Sequence, residues 1–299
     1  MENRMMPVAP RAELERLLAD DVPCGDLTTE ALGIGAARGV MRFVARDPMV
    51  LALAEDAAAI IELAGCRVEL SARTGDRLAP GSPILTAHGE AAALLKSWKV
   101  AQTLIEIWSG VATSARAIVD AARAVSPDIA VACTRKNIPG TKPFAVAAVK
   151  AGGAVMHRLG LSETVLVFPE HRVFLERVPL TEMVEQLRCA APEKRLVAEV
   201  TSFEAAIELA VAGFDVIQAE KFAPAEIAAL VARMKAMSSV WNRPLVAAAG
   251  GINAGNVAAY AQAGADILVT SSPYLAKPCD VQVRIVPADA SQQLMTEAA

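Results

Sequence analysis

Aromatic residues make up only 4% of this 299-residue chain, although 54% of it is hydrophobic. Alanine and valine dominate the apolar fraction instead, as in α/β proteins whose helices pack closely on sheets. The five cysteines, Cys24, Cys66, Cys133, Cys189 and Cys279, are odd in number and lack a C-x-x-C pair. This argues against a disulfide framework and a zinc site, and for a reduced, cytoplasmic setting. There is no polybasic tail, and a net charge of −4 opposes the attraction that bulk nucleic-acid binding needs. No apolar run is long enough to span a bilayer without charges, and Glu2, Arg4 and two prolines stand where a leader would be hydrophobic. Neither nucleic acid, nor a membrane, nor secretion is expected.

What is present is an alternation. From about Asp128 onward, short β-branched runs (IAVACT, TVLVF, RLVAEV, DVIQAE, PLVAAAGG, ADILVTS) alternate with alanine-rich segments of helical period. That pattern signals βα units around a parallel sheet of at least six strands. Gly213 and Gly264 fall directly after helical runs, where a left-handed cap is expected, and Pro224 stands near the start of the next helix. Candidate chemistry follows nearly every strand, which favours a barrel with an active carboxyl-terminal rim over an open sheet.

Residues before about Val111 read differently: a charged helix near Ala12 to Ala19, VMRFVA, a helix through Ala57 to Leu63, CRVEL and PILTAHG. They predict an N-terminal α+β domain. A long helix from Ala91 to roughly Ala124, broken near Ser109-Gly110, leads into the barrel. VQVRIV at Val281 to Val286 alternates like a strand able to complete the first sheet. The expected domains are therefore 1–111 with 276–299, and 112–275.

The chemistry is carried by four groups. Thr134-Arg135-Lys136 follows a buried-looking strand, where Arg grips a carboxylate or phosphate with a two-pronged fork and Lys acts as a point charge; the bland alternative is a solvated basic turn. His157-Arg158 comes one helical segment later. Glu199 and Glu220 each end a strand, and two such acids suit Mg²⁺ bound partly through water and ligand oxygens; the alternative is ordinary ion pairs. Ala249-Gly250-Gly251 and Ser271-Ser272 follow the last two barrel strands, where late barrel loops often bind phosphate. In the first domain, GDRLAPGSPILTAHG has paired turns but no lysine between them, and reads as structural. Asp20, Asp21, Gly25, Asp26 and Thr28 suit a turn and helix cap.

Taken in order, Asp20-Asp21, Gly25-Asp26-Leu27-Thr28, Ser109-Gly110-Val111-Ala112-Thr113, Thr134-Arg135-Lys136, Pro139-Gly140, His157-Arg158-Leu159-Gly160-Leu161, Glu199-Val200 and Gly250-Gly251-Ile252 resemble the quinolinate phosphoribosyltransferase family, the carboxylating nicotinate-nucleotide pyrophosphorylases. The resemblance covers almost the whole chain. It implies an N-terminal open sandwich with an incomplete α/β barrel, and a homodimer whose sites borrow residues from the partner's long helix. The implied substrates are 5-phosphoribosyl-1-pyrophosphate and an aromatic dicarboxylic acid, with Mg²⁺; the products are a mononucleotide, pyrophosphate and CO₂. By the same likeness Arg135, His157 and Arg158 match acid-binding positions, and Lys136, Glu199 and Glu220 match those around ribose, metal and pyrophosphate.

Departures gather at the acceptor pocket. Lys99 stands where the family has an Arg, and Glu220 replaces an Asp. LVFPEH replaces LIKDNH, so Phe168 removes a cation and Glu170 adds an anion; Leu275 lies near a position commonly held by His. LVFPEH, TRKNIPGTK and SWKVAQ look most like the ModD subgroup encoded with molybdenum-transport genes. The expected function is phosphoribosyl transfer to a nitrogen of an aromatic acid. The alternatives are a ModD-type enzyme with a different acceptor, a non-catalytic anion-binding protein, and a Schiff-base barrel enzyme using Lys136.

Overall fold

The computed structural model describes residues 8–237 and 243–290. Glu2, Arg4 and Pro7, read above against a leader, lie outside the described residues, as does 291–299 of the C-terminal segment. The chain divides into two compact units, one of residues 8–116, 138–153 and 274–290, the other of 117–137 and 154–273.

In the first unit, α1 (Arg11–Asp21), α2 (Leu27–Ala31) and α3 (Ala54–Leu63) accompany β1 (Arg38–Ala45), β2 (Met49–Val50), β3 (Arg67–Leu70), β4 (Arg77–Leu78) and β5 (Pro83–Glu90). Asp26 caps α2, accepting from the Thr29 backbone N–H at 3.1 Å and from its hydroxyl at 2.5 Å. The C-terminal strand Val281–Pro287 pairs antiparallel with β1, giving a four-stranded sheet in which β1 lies between it and β5, with β3 on the far edge. The alternating burial of β1 places Met41, Phe43 and Ala45 in the core.

Helix α4 runs unbroken from Ala91 to Arg123, which corrects the expected break at Ser109-Gly110. Ser109 is fully buried, and its hydroxyl accepts the Ala52 N–H at 3.0 Å. A Cβ on Gly110 would lie 2.2 Å from the Lys277 carbonyl oxygen. The glycine thus serves close approach of two backbones, not a hinge. Helix α5 (Lys142–Ala151) packs on α4 in the same way: Gly152, which ends it, would press a Cβ to 2.6 Å from the Ala112 carbonyl oxygen.

The second unit carries β6 (Ala130–Cys133), β7 (Val155–Met156), β8 (Val165–Val167), β9 (Leu196–Val200), β10 (Val216–Glu220), β11 (Leu245–Ala249) and β12 (Ile267–Thr270). Its helices are α6 (Pro169–Arg172), α7 (Leu180–Ala190), α8 (Phe203–Ala212), α9 (Pro224–Met237) and α10 (Val257–Gln262). The strands form one parallel sheet in the order β7-β6-β12-β11-β10-β9-β8. One more strand is present than the six read from the sequence: β7 has two residues, neither of them buried, and offers no periodicity. Val197, Val216, Leu245, Ala247, Ala249, Ile267 and Val269 pack together on one face of the sheet, and small alanines there let it curl. Gly213 and Gly264 take φ of 108° and 88°, as their places after helices demand.

Candidate active site at the carboxyl ends of the barrel strands

Register decides which side chains share that packed face. Glu199 pairs with Gln218 and Glu220 with Ala249, so Glu199, Gln218 and Glu220 all project to the side of Val216 and Ala247. Two residues beyond Ala132, Val155, Leu166 and Val269 on the same face come Thr134, His157, Phe168 and Ser271. The structure therefore brings one predicted residue from each strand to a single rim. The sheet is curled enough that its two edges meet there: the Arg158 guanidinium, just past β7, lies 5.5 Å from the centre of the Phe168 ring at the end of β8.

Charge at this rim is poorly compensated. Gln218, only 4% exposed, donates from Nε2 to Glu199 Oε2 at 2.6 Å, and its Oε1 has no hydrogen-bond partner among the described residues. Burial pushes the Glu199 carboxyl above its usual range; the Gln218 bond opposes this, and Glu220 and Glu170 add to it by repulsion while Lys136 pulls the other way. The His157 imidazole is held below its usual pKa by burial and by Arg158, an effect the Gln218 amide partly offsets. Arg158 is 6% exposed, and its charge is disfavoured by burial and by Arg135 and favoured by Glu199. No hydrogen bond or ion pair satisfies its guanidinium among the described residues. None of its nitrogens is among the fully enclosed, unpartnered atoms, so the guanidinium opens onto the rim, where a carboxylate or phosphate would suit it.

The late loops complete the rim. A Cβ on Gly250 would lie 2.8 Å from Glu220 Oε1 and from the Lys221 backbone nitrogen, and the φ of Gly250 is +89°. Only glycine allows the β11 loop to come this close to Glu220. The loop is fixed by Asn253 and Asn256, whose side-chain amides both donate to the Gly251 carbonyl, and by Thr270, whose hydroxyl donates to the Ile252 carbonyl at 2.6 Å. Ser272 donates its backbone N–H to that hydroxyl at 3.0 Å. Lys136, exposed after β6, donates its backbone N–H to the Thr134 hydroxyl.

Sequence reading missed three participants. Gln218 was legible as the lone polar residue inside the apolar run DVIQAE; His171, which stacks on Phe168 with centroids 5.8 Å apart, was not. Lys221 adopts a left-handed φ of 61° directly after Glu220, a conformation no local signal announces. Lys99 lies on α4 in the first unit, where its ammonium donates to Gln102 and sits 4.9 Å from the Trp98 ring centre. Leu275 is 87% exposed.

Against this geometry the comparisons are specific. Residues 26–109 match the model for the N-terminal domain of quinolinate phosphoribosyl transferase, and residues 111–284 match that for its C-terminal domain. The chain belongs to the quinolinate phosphoribosyltransferase family. It is 46% identical over 245 residues to the ModD protein of Rhodobacter capsulatus, covering 82% of this chain and 93% of that one. To the carboxylating nicotinate-nucleotide pyrophosphorylase of Mycobacterium leprae it is 30% identical over 269 residues, 88% of this chain and 92% of the relative. The crystal structure of NadC from Streptococcus pyogenes, 25% identical, superposes with a TM-score of 0.85 over 96% of this chain and all of that one. Members of this family are phosphoribosyltransferases, and the fold is theirs: an incomplete parallel barrel with a separate antiparallel sheet. No described helix is long and apolar enough to cross a membrane.

Proposed function

We propose that this enzyme transfers phosphoribosyl from 5-phosphoribosyl-1-pyrophosphate to a ring nitrogen of an aromatic carboxylic acid and releases pyrophosphate. One observation carries the reading of the pocket: the buried Arg158 guanidinium lacks an acceptor and stands on the same rim as two mutually repelling carboxylates. The first feature suits an acid, the second a ribose and a cation. Lys136 and the Gly250-Gly251 and Ser271-Ser272 loops are suited to the donor's phosphates.

Glu199 and Glu220 would hold Mg²⁺. Two carboxylates at neighbouring strand ends suit an ion that keeps several waters and also binds donor oxygens. When bound, the ion supplies charge stabilisation for the pyrophosphate group. The chain's own part is to align the two substrates, so that the acceptor nitrogen's lone pair forms its bond to the ribose C1 as the C1–O bond to pyrophosphate breaks. His157, whose charged form is disfavoured by burial and by Arg158, offers a hydrogen-bonding edge beside that guanidinium. A Schiff-base role suits Lys136 poorly, because its side chain is exposed and such lysines are activated by desolvation.

We further propose a cytoplasmic homodimer in which Lys99 of α4 serves the partner's acceptor pocket. Pyrophosphate release that requires the donor, an aromatic acid and Mg²⁺ together is the expected result of a coupled assay over an acceptor panel. Calorimetry showing no binding of phosphoribosyl pyrophosphate, with no release across the panel, would sink the proposal.

A further inference from the structure

We propose that Lys221 is a ligand for a phosphate of the donor, and that the backbone strain it carries is kept for that contact. This rests on the phosphoribosyl-transfer reading and adds to it a cation outside the predicted set.

Among the described residues only Leu53 and Lys221 combine a side chain with a positive φ, of 59° and 61°. Glycine adopts that conformation freely and asparagine more readily than lysine. Leu53 is held there by packing, because it is fully buried at the start of α3. Lys221 is exposed, so no core contact of its side chain imposes the twist. The turn itself has a plain task. The Lys221 N–H donates to the Ala249 carbonyl at 2.7 Å, one residue past the Glu220–Ala249 pair that ends β10, and Phe222 then enters the core. Glycine or asparagine would make the same bend with less strain, so the turn does not explain the lysine.

The place of the side chain does. Alternation along an extended strand would send residue 221 to the face opposite Glu220. The left-handed turn brings it back: a Cβ on Gly250 would lie 2.8 Å from both Lys221 Cγ and Glu220 Oε1, so stem and carboxylate crowd one spot on the β11 loop. The Lys221 ammonium makes no hydrogen bond or ion pair to another described residue, Glu220 included. Beside it the loop is open, since a Cβ on Gly251 would meet nothing within 4 Å. An ammonium on a flexible stem holds phosphate as a point charge, and a glycine loop lets the phosphate come close to the backbone.

The test measures stability and donor binding side by side in wild type, Lys221→Asn and Lys221→Arg. Asparagine suits the backbone and removes the charge, whereas arginine keeps both charge and strain. Lys221→Asn should keep or raise the ligand-free unfolding midpoint and weaken phosphoribosyl pyrophosphate with Mg²⁺ about tenfold, as loss of a charge-assisted hydrogen bond does, while Lys221→Arg stays within about threefold of wild type. Titrations with ribose 5-phosphate and with pyrophosphate and Mg²⁺ identify the phosphate, which belongs to whichever ligand weakens in Lys221→Asn. In wild type, acetylation of Lys221 followed by peptide mass spectrometry should slow several-fold once the donor is bound. Wild-type affinity for all three ligands in Lys221→Asn, an arginine variant as weak as the asparagine one, or acetylation at an equal rate with and without donor would each overturn the inference. The acetylation arm needs no variant to fold. Absence of donor binding by wild type defeats phosphoribosyl transfer itself, whereas intact donor binding in Lys221→Asn defeats only the role of Lys221.

Discussion

The two ends of the seven-stranded sheet use the same kinds of side chain in opposite ways. At the amino ends of the strands, Asp215 accepts the Leu196 N–H at 2.6 Å and Arg188 at 2.6 Å, pinning β9 beside β10. Asp266 repeats the device between β11 and β12, accepting the Val246 N–H at 2.8 Å and both terminal nitrogens of Arg243 at 2.5 and 2.8 Å. Burial alone would raise the Asp215 carboxyl, but Arg188 and the Leu196 N–H outweigh it and hold it below the usual range. At the carboxyl ends, Glu199 is pushed up by burial and by its acidic neighbours, and Arg158 is buried with no acceptor. Saturated polar groups make one end a fastener. Unsaturated ones leave the other end able to take a ligand, the role proposed for it.

Substitutions should separate the ends. At the carboxyl end the largest effect is expected from Lys136→Ala, which on the proposed mechanism removes a cation serving the developing charge. Turnover should fall about a hundredfold or more, on the order of 3 kcal/mol of barrier, with the melting temperature little changed. A wild-type rate would remove Lys136 from the reaction. At the amino end, Asp266→Ala leaves Arg243 and the Val246 N–H without their acceptor. We expect a loss of about 2 kcal/mol in denaturant unfolding with kcat/KM preserved. Lost activity at full occupancy of the folded state would break the division between fastener and receptor.

The smallest effect concerns pH. Asp215 has a lowered native pKa, so its contribution is fully present above the unfolded value near 4 and is lost as pH falls through the native one. The stability gap between wild type and Asp215→Asn, about 1 kcal/mol for a pair this exposed, should be level from pH 5 to 7 and close on further acidification. A gap that widens toward low pH would reverse the sign assigned to this carboxylate. Glu199 carries the opposite shift: its protonation is easier in the fold than in the unfolded chain, so acidification through its native pKa adds stability.

Much of this was legible without coordinates, because it is local. Alternation along β9 to β12, glycine after α8, Pro224 at the start of α9 and single acids ending two strands all follow from side-chain direction and backbone freedom. What failed was of another kind. Gly110 looked like a break, because sequence cannot distinguish a glycine that frees a backbone from one that admits a neighbour, here the Lys277 carbonyl. β7 escaped notice because its identity as a strand comes from pairing with β6, not from its own pattern.

The amino-acid order by itself determined the βα alternation, the separate antiparallel sheet and the residue types reaching the strand ends, since periods of 2 and 3.6 are properties of a single segment. Tertiary structure alone decided that Gln218 holds Glu199, that Arg158 is buried without an acceptor, and that Phe168 is clasped by His171 and Arg158. These depend on which strands become neighbours when the sheet curls. Burial then sets how much each unpaired charge costs, and no linear pattern encodes that.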